Sequence, residues 1–301
     1  MWLIIALIGY SLLAVVGVLD KLILDKKLKH PVVFVFYSTV FVLPLFLLLP
    51  FGVIAPTTGL GWVIVAVAGI AFALALWVMY IGYQKSEVSH VGPLVGAMIP
   101  VFVIILSQIF LHEFLTERQW IAAGLIILGS LIISFEKSAR HHGWHTGMLF
   151  GVLAGLLFAV SHVASKVAYD WYGFYSGFVW TRGFLGLCAL PLIFTASVRA
   201  EIFSWRHRQK TAKRAPHKIA LIASNKILGT LGVVFIQYAI AIGSVSLVNA
   251  LHGFQYALLV LAVFLLSRFW PKIFKEQYSR GEIIQEFSAI AIIAVGLAFL
   301  F

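Results

Sequence analysis

The sequence predicts an all-α integral membrane protein whose ten transmembrane helices form two inverted five-helix repeats. Of its 301 residues, 62% are hydrophobic and 11% are charged, whereas an average soluble domain is roughly 25% charged. Ten apolar stretches are each long enough to cross a bilayer, and the second half of the chain repeats a pattern of the first. Lipid must therefore be the solvent for much of the surface.

The apolar stretches are joined by short connectors, and each approaches the length of about 20 residues that crosses the hydrocarbon core. They cover about 2–19, 31–50, 61–83, 90–111, 118–135, 147–168, 174–196, 218–241, 245–269 and 284–301. We expect helices because a backbone in lipid must satisfy its own hydrogen bonds. The first stretch has no basic segment before it and no cleavage site after it, so we expect a retained helix rather than a signal peptide.

Five stretches precede residue 140 and five follow it, and one pattern of residues recurs at constant spacing between two apolar runs of each half. The recurring residues are Val88, Ser89, Val91, Leu94 and Gly96 in the first half and Val245, Ser246, Val248, Leu251 and Gly253 in the second. With an odd number of helices per half, the repeats at 1–137 and 146–301 must insert in opposite directions. Such halves commonly enclose a substrate site near the bilayer midplane, which points to transport.

The basic residues are unevenly distributed, and this bias predicts the orientation. The chain has 22 Lys and Arg residues and a net charge of +11, and most of these residues lie in the odd-numbered connectors. The positive-inside rule places those connectors in the cytoplasm and both termini outside. We therefore predict a multi-pass protein of the cytoplasmic membrane.

The basic connectors raise the question of a nucleic-acid or metal partner. The basic run at 205–210 is better explained by attraction to anionic lipids than by nucleic-acid binding, because it is tethered between two spans. The run at 140–145 holds three histidines, but it lacks carboxylate or thiolate ligands and its own cations would repel a metal. We therefore predict no nucleic-acid partner, no metal site and no cofactor.

A motif between residues 86 and 135 resembles the drug/metabolite transporter superfamily, in particular its EamA-type members. The residues that carry the resemblance are Gly92, Pro93, Pro100, Glu113, Thr116, Gln119, Trp120, Ala123, Gly124, Gly129 and Ser130. The second half keeps only part of this pattern. The resemblance implies ten helices in two five-helix repeats and transport of small metabolites such as amino acids. It also implies cytoplasmic termini, whereas the loop charge favours termini outside, and we follow the charge.

Ionisable side chains within a span are the first candidates for a site, because burying them in lipid is costly. Arg182 lies well inside the seventh span and could bind a carboxylate or phosphate bidentately, or bridge helix carbonyls. Trp180 could supply a stacking face beside it. Lys226 in the eighth span shares a helix face with Thr230 and Gln237 and could either bind substrate or extend to the head groups.

The ninth span offers a second polar stripe. Asn249, His252 and Tyr256 follow at helical spacing, with Gln255 alongside, and we expect them to line a solute path rather than only to join helices. Trp77 and Tyr80 could form an aromatic wall of that path, although packing is the simpler explanation. His162 we interpret as a helix-contact histidine rather than a proton relay.

These features favour a carrier for an anionic or carboxylate-bearing solute that works by alternating access. Asp20, Glu113 and Asp170 lie near span ends, so a central acid for cation exchange is missing from the pattern. A flippase for a lipid or phosphate-bearing head group remains an alternative, since Arg182 and Lys226 would also suit phosphate. An intramembrane enzyme is a remote one, because no catalytic constellation is recognisable. Two fused halves make a monomer sufficient, and a homodimer is equally compatible.

Overall fold

The computed structural model describes residues 1–23, 30–85, 88–134, 146–211, 216–269 and 280–300. Within these residues every regular element is helical, which confirms the predicted all-α class. The elements are α1 (Trp2–Ile23), α2 (Pro31–Val40), a 3₁₀ helix (Leu43–Leu48), α3 (Gly59–Lys85), α4 (Val88–Phe110), α5 (Glu117–Ser134), α6 (Thr146–Leu187), α7 (Ala189–Leu192), α8 (Ala196–Thr211), α9 (Pro216–Ile242), α10 (Val245–Ala250), α11 (His252–Phe269) and α12 (Arg280–Ala298). The histidine-containing run at 140–145 lies outside the described residues.

Nine stretches of the described residues are long and apolar enough to cross a membrane. One of them is long enough to cross it twice. The stretch Thr146–Leu192 has 47 residues, which as a straight helix would measure roughly 70 Å, over twice the hydrocarbon thickness. Gly173 breaks it with φ 74° and ψ 162°, a conformation that essentially only glycine adopts. The two arms of α6, residues 146–172 and 174–187, are therefore separate spans, and the ten predicted stretches match the described helices.

The basic connector between the predicted spans at 174–196 and 218–241 is partly helical. It contains helix α8, Ala196–Thr211, and Val198 on this helix is buried in a small core with Phe36 and Ala189. Alanine, arginine, glutamine and lysine are good helix formers. A polar connector rich in them can therefore be helical once one turn packs against the bundle.

The acid–Thr–Gln part of the recognised motif shapes the junction between α4 and α5. The Gln119 side chain accepts a hydrogen bond from the Thr116 backbone N–H at 2.9 Å, and Thr116 Oγ1 accepts one from the Gln119 N–H at 3.4 Å. This reciprocal pairing is a capping box that starts α5. Glu113 accepts a hydrogen bond from the hydroxyl of Ser244, the residue that caps α10. The motif therefore joins the two halves as well as starting a helix.

The fourth and fifth helices of the first half pack against the helices that hold the same place in the second half, and they run antiparallel to them. Between α5 and α12, Gln285 Nε2 donates to the Ile132 carbonyl at 2.7 Å. Further along α12, Ala289 faces Gly129 and Gly296 faces Ala122. The numbers rise along α12 as they fall along α5, so the two helices are antiparallel. Two hydrogen bonds show the same antiparallel order between α4 and the helices α10 and α11. Those bonds are Ser107 Oγ to Ser246 Oγ at 2.7 Å and Tyr256 Oη to the Gly92 carbonyl at 2.8 Å.

Two further contacts between the halves pair the first helix of each half with the third helix of the other. In α1 and α9, the backbones meet where Gly9 lies against Gly232. In α3 and the first arm of α6, Ser161 Oγ donates to the Ala68 carbonyl at 2.6 Å. Small residues at both interfaces permit this close approach, as in other membrane helix pairs. The halves are therefore held together by reciprocal contacts.

Candidate functional site

Seven polar side chains meet where α1, α6, α9, α10 and α11 converge between the halves. We call them the central polar cluster: Tyr10, His162, Tyr169, Arg182, Gln237, Asn249 and His252. Their helices are apolar on most other faces, and large hydrophobic side chains such as Ile4, Ile227 and Phe110 are exposed on the outside of the bundle. Lipid on that outer surface leaves the interior as the place where polar groups can be satisfied.

Arg182 is the only cationic side chain of the cluster with a fixed charge. Its exposure is 5%, and its Cζ lies 4.5 Å from the ring centre of Phe72 and 5.8 Å from that of Phe178. Among the described residues, neither Nε nor Nη2 has a hydrogen-bond partner. A buried charge with unsatisfied donors is costly unless an anion or an acceptor completes it. The two donors suit a bidentate acceptor such as a carboxylate or phosphate.

A second part of the cluster is a chain of hydrogen bonds through two histidines. His162 Nδ1 lies 2.5 Å from Asn249 Oδ1, and Asn249 Nδ2 donates to the Val245 carbonyl at 2.8 Å. His252 Nδ1 lies 3.0 Å from the Asn249 carbonyl and 2.9 Å from the hydroxyl of Tyr10. These hydrogen bonds therefore connect α6, α10 and α11 of the second half with α1 of the first.

Tyr169 and Gln237 complete the cluster on the side of α9. The Tyr169 hydroxyl donates to Gln237 Oε1 at 2.7 Å, and Tyr169 also lies beside the guanidinium of Arg182. Gln237 is 2% exposed, so its amide faces the bundle interior.

Tyr80, Tyr256 and Gln255 lie elsewhere in the interior. Tyr256 donates to the Gly92 carbonyl and packs over Gly96, where a Cβ would lie 2.2 Å from the tyrosine ring. Tyr80 packs against Tyr83 and Phe34, with ring centres 5.8 Å and 5.3 Å away. Gln255 is half-buried on α11.

Three other predicted residues do not join the cluster. Lys226 is exposed on α9, whereas its neighbour Asn225 is buried and donates to Asp20 at 2.7 Å. Trp77 is 38% exposed on the outer face of α3. Trp180 points away from Arg182, because residues two apart on a helix face opposite sides, and its Nε1 donates to the Ile54 carbonyl at 2.9 Å.

Sequence reasoning did not assign His162, Tyr10 and Tyr169 to the site. His162 carried a usable signal, because an ionisable residue in the middle of a span is a functional candidate by default. Tyr10 and Tyr169 carried none, because tyrosine is common in membrane helices and their partners lie more than 60 residues away.

The cluster is closed to solvent on both sides of the bundle. Asn249 is 0% exposed and His162 is 5% exposed. A groove of about 340 Å³ on the outer face of α1 and a smaller pocket beside Arg118 both lie outside it. The cluster is therefore enclosed by packed helices between the two halves.

Comparison with known proteins agrees with this fold. The EamA-like transporter family model matches residues 1–135. The chain is 31% identical over 72 residues to the probable 4-amino-4-deoxy-L-arabinose-phosphoundecaprenol flippase subunit ArnE of Aeromonas salmonicida, and 29% identical over 72 residues to that of Aeromonas hydrophila subsp. hydrophila. Each match covers 24% of this chain and 60% of the relative, so the matched region spans about three fifths of these curated relatives.

A solved crystal structure, described only as that of a protein, superposes with a TM-score of 0.65 at 17% identity. It covers 99% of this chain, and the chain covers 95% of it, so the whole helical bundle is a known fold. Over residues 1–135 the chain is similar to the EamA-like transporter family, and over almost its whole length it shares the helical fold of that solved structure.

Proposed function

We propose that this protein carries a small anionic metabolite, such as an amino acid or another carboxylate-bearing solute, across the cytoplasmic membrane by alternating access. The observation that carries the proposal is the guanidinium of Arg182, which is buried between the halves and whose Nε and Nη2 have no hydrogen-bond partner among the described residues. Because no described carboxylate forms a salt bridge with it, the missing partner is assigned to the solute. Bidentate binding there would fix the orientation of the solute as well as its charge.

Alternating access is supported by the relation between the halves. Equivalent helices such as α5 and α12 run antiparallel, which is what the predicted inverted repeats at 1–137 and 146–301 require. In carriers of this design, one half rocks against the other around a site near the midplane. The occluded cluster is drawn from both halves, so relative motion of the halves would open it to one side at a time.

A second candidate is a flippase for a lipid-linked phosphate. The similarity to the ArnE subunits favours it, because those relatives are named for a phosphoundecaprenol substrate. The same two donors of Arg182 would bind a phosphodiester. The two candidates thus share one chemistry, an anionic group in a closed polar site, and differ in whether a lipid chain is attached.

Transport assays on reconstituted vesicles distinguish these candidates. We expect counterflow of amino or organic acids for the metabolite carrier, and movement of a fluorescent phosphodiester lipid without solute flux for the flippase. Release of a cleaved product would instead indicate an enzyme.

The role of Arg182 is tested by Arg182→Gln in the same vesicles. We expect at least a tenfold loss of transport, because a neutral amide replaces a charge-assisted pair worth about 1.5–3 kcal/mol. Arg199→Gln, which changes an exposed arginine on α8, is the matched control and should transport normally. A folded Arg182→Gln protein with normal transport of every anion would overturn the proposal.

A further inference from the structure

The hydrogen bonds around Asn249 determine which nitrogen of His162 carries a proton. The amide nitrogen of Asn249 donates to the Val245 carbonyl, so Oδ1 is the atom that faces His162. Oδ1 can only accept a hydrogen bond, and His162 Nδ1 must therefore be the donor. In the neutral ring, Nε2 is then the basic atom that can take up a further proton.

His252 is the second ring of a coupled pair. Its ring centre lies 6.5 Å from that of His162, and the two planes are inclined by only 25°. Asn249 touches both rings, His162 through its side chain and His252 through its backbone carbonyl. Two imidazolium ions this close would repel each other, so the pair favours at most one added proton.

The other titratable groups around the pair decide when that proton is held. They are Tyr10 from α1, Tyr169 and Arg182 from α6, and Tyr256 from α11, with Tyr80 and Tyr83 of α3 beside Tyr256. In the described part of the chain, neither ring forms a salt bridge with a carboxylate. Arg182 is thus the one fixed charge that the pair meets, and its partner Phe72 also packs near His162 at 6.3 Å between ring centres.

We propose that the anion bound at Arg182 travels together with one proton held on the His162–His252 pair. This inference rests on the proposed function. While the site is empty, the positive guanidinium opposes a second cation; once an anion neutralises it, protonation of an imidazole becomes favourable. The proton comes from water on the side of entry, binds an imidazole nitrogen, and returns to water with the anion on the other side. No atom is oxidised or reduced.

Linkage makes the proposal reciprocal: if the anion favours the proton, the proton favours the anion by the same factor. Binding of the anion should therefore tighten as the pH falls. With one proton linked, the change approaches tenfold per pH unit in the range where the histidine pair is neutral without the anion and protonated with it.

The test measures binding of dimethyl phosphate and of benzoate to the purified protein between pH 6 and 8. Both probes remain singly charged throughout this range, so any pH dependence belongs to the protein. We expect tighter binding at pH 6 by up to about a hundredfold for one linked proton. Calorimetry in buffers of different ionisation enthalpy should show uptake of up to about one proton per anion bound.

The double variant His162→Gln/His252→Gln should bind with an affinity independent of pH, whereas His30→Gln, a histidine at the exposed start of α2, should behave as the wild type. Anion binding by the wild type that neither changes with pH nor takes up protons would overturn the coupling and leave the Arg182 site standing. Failure of both probes to bind at any pH would overturn the anion site and the coupling together. The wild-type measurement decides the matter even if the double variant does not fold.

Discussion

Arg182 and Lys226 are both cations within predicted spans, and the structure gives them different surroundings. Arg182 is enclosed by Phe72, Phe178 and Tyr169, whereas Lys226 is exposed on α9. The cost of a buried charge falls when a long side chain can reach polar head groups. Lys226, near the start of its span, can do so; Arg182 cannot, because its head is held between aromatic rings and the histidine chain.

Asn249 is the residue on which the hydrogen-bond chain depends. Asn249→Ala would remove the acceptor of His162 and leave that buried ring without its partner, so we expect a loss of about 1–3 kcal/mol in the free energy of unfolding. Thermal unfolding in detergent measures the change. Thr230→Val is the control, because Thr230 is exposed and bonds only the Lys226 carbonyl of its own helix. Equal melting temperatures for the two variants would contradict this role.

At the scale of the elements, glycines set how closely helices of opposite halves approach. Gly129 lies in the contact of α5 with α12, where an added Cβ would come within 2.5 Å of Ile293 Cγ1 and 2.9 Å of the Ala289 carbonyl. Gly124, five residues earlier on the same helix, has nothing within 4 Å of the equivalent position. Both belong to the motif that suggested the family, but only one is required by packing in this structure.

This contrast predicts opposite effects of the same substitution. Gly129→Ala should destabilise the protein by about 1–3 kcal/mol through overpacking. Gly124→Ala should be neutral or stabilise by up to about 1 kcal/mol, because alanine is the better helix former. Unfolding of the two variants under identical detergent conditions is the measurement. A more stable Gly129→Ala protein would show that α5 and α12 do not pack as described.

At the scale of the whole molecule, the bundle has two chemically different ends. The connectors before α2, α4, α6, α9 and α12 carry most of the basic residues, and those before α3 and α5 carry few. Because helices in each half cross alternately, the basic connectors fall on one side. The positive-inside rule therefore predicts that both termini lie outside, which differs from the usual arrangement implied by the family resemblance.

Labelling of single cysteines in intact cells tests this orientation. In a Cys188→Ala background, a cysteine in place of Phe114, which is 75% exposed before α5, should react with a membrane-impermeant maleimide. A cysteine in place of Arg199 on α8 should react only after the membrane is permeabilised. The opposite pattern would place the termini in the cytoplasm, and each position serves as the control for the other.

The candidate site could be foreseen only in part, for a reason visible on α9. Lys226, Thr230 and Gln237 share one face of an ideal helix, yet Lys226 and Thr230 are exposed whereas Gln237 is 2% exposed. Which part of a face is covered depends on where α1 and α6 cross α9, and this is not encoded in the spacing. Arg182, Gln237, Asn249 and His252 were selected as polar residues in apolar spans, and the structure brings them together. Trp180 was selected because it is close to Arg182 in sequence, and Trp77 as part of a possible aromatic wall, and both lie apart from them.

The sequence by itself determined that lipid surrounds much of the protein, how many spans to expect, and that the halves resemble each other. Hydropathy, the length of apolar stretches and repeated patterns can all be found by comparing residues along the chain. The tertiary structure decided which polar groups meet. His162 and Asn249 are 87 positions apart, and Tyr10 and His252 are 242 apart, and only the rotation and crossing of packed helices can bring such groups within hydrogen-bond distance.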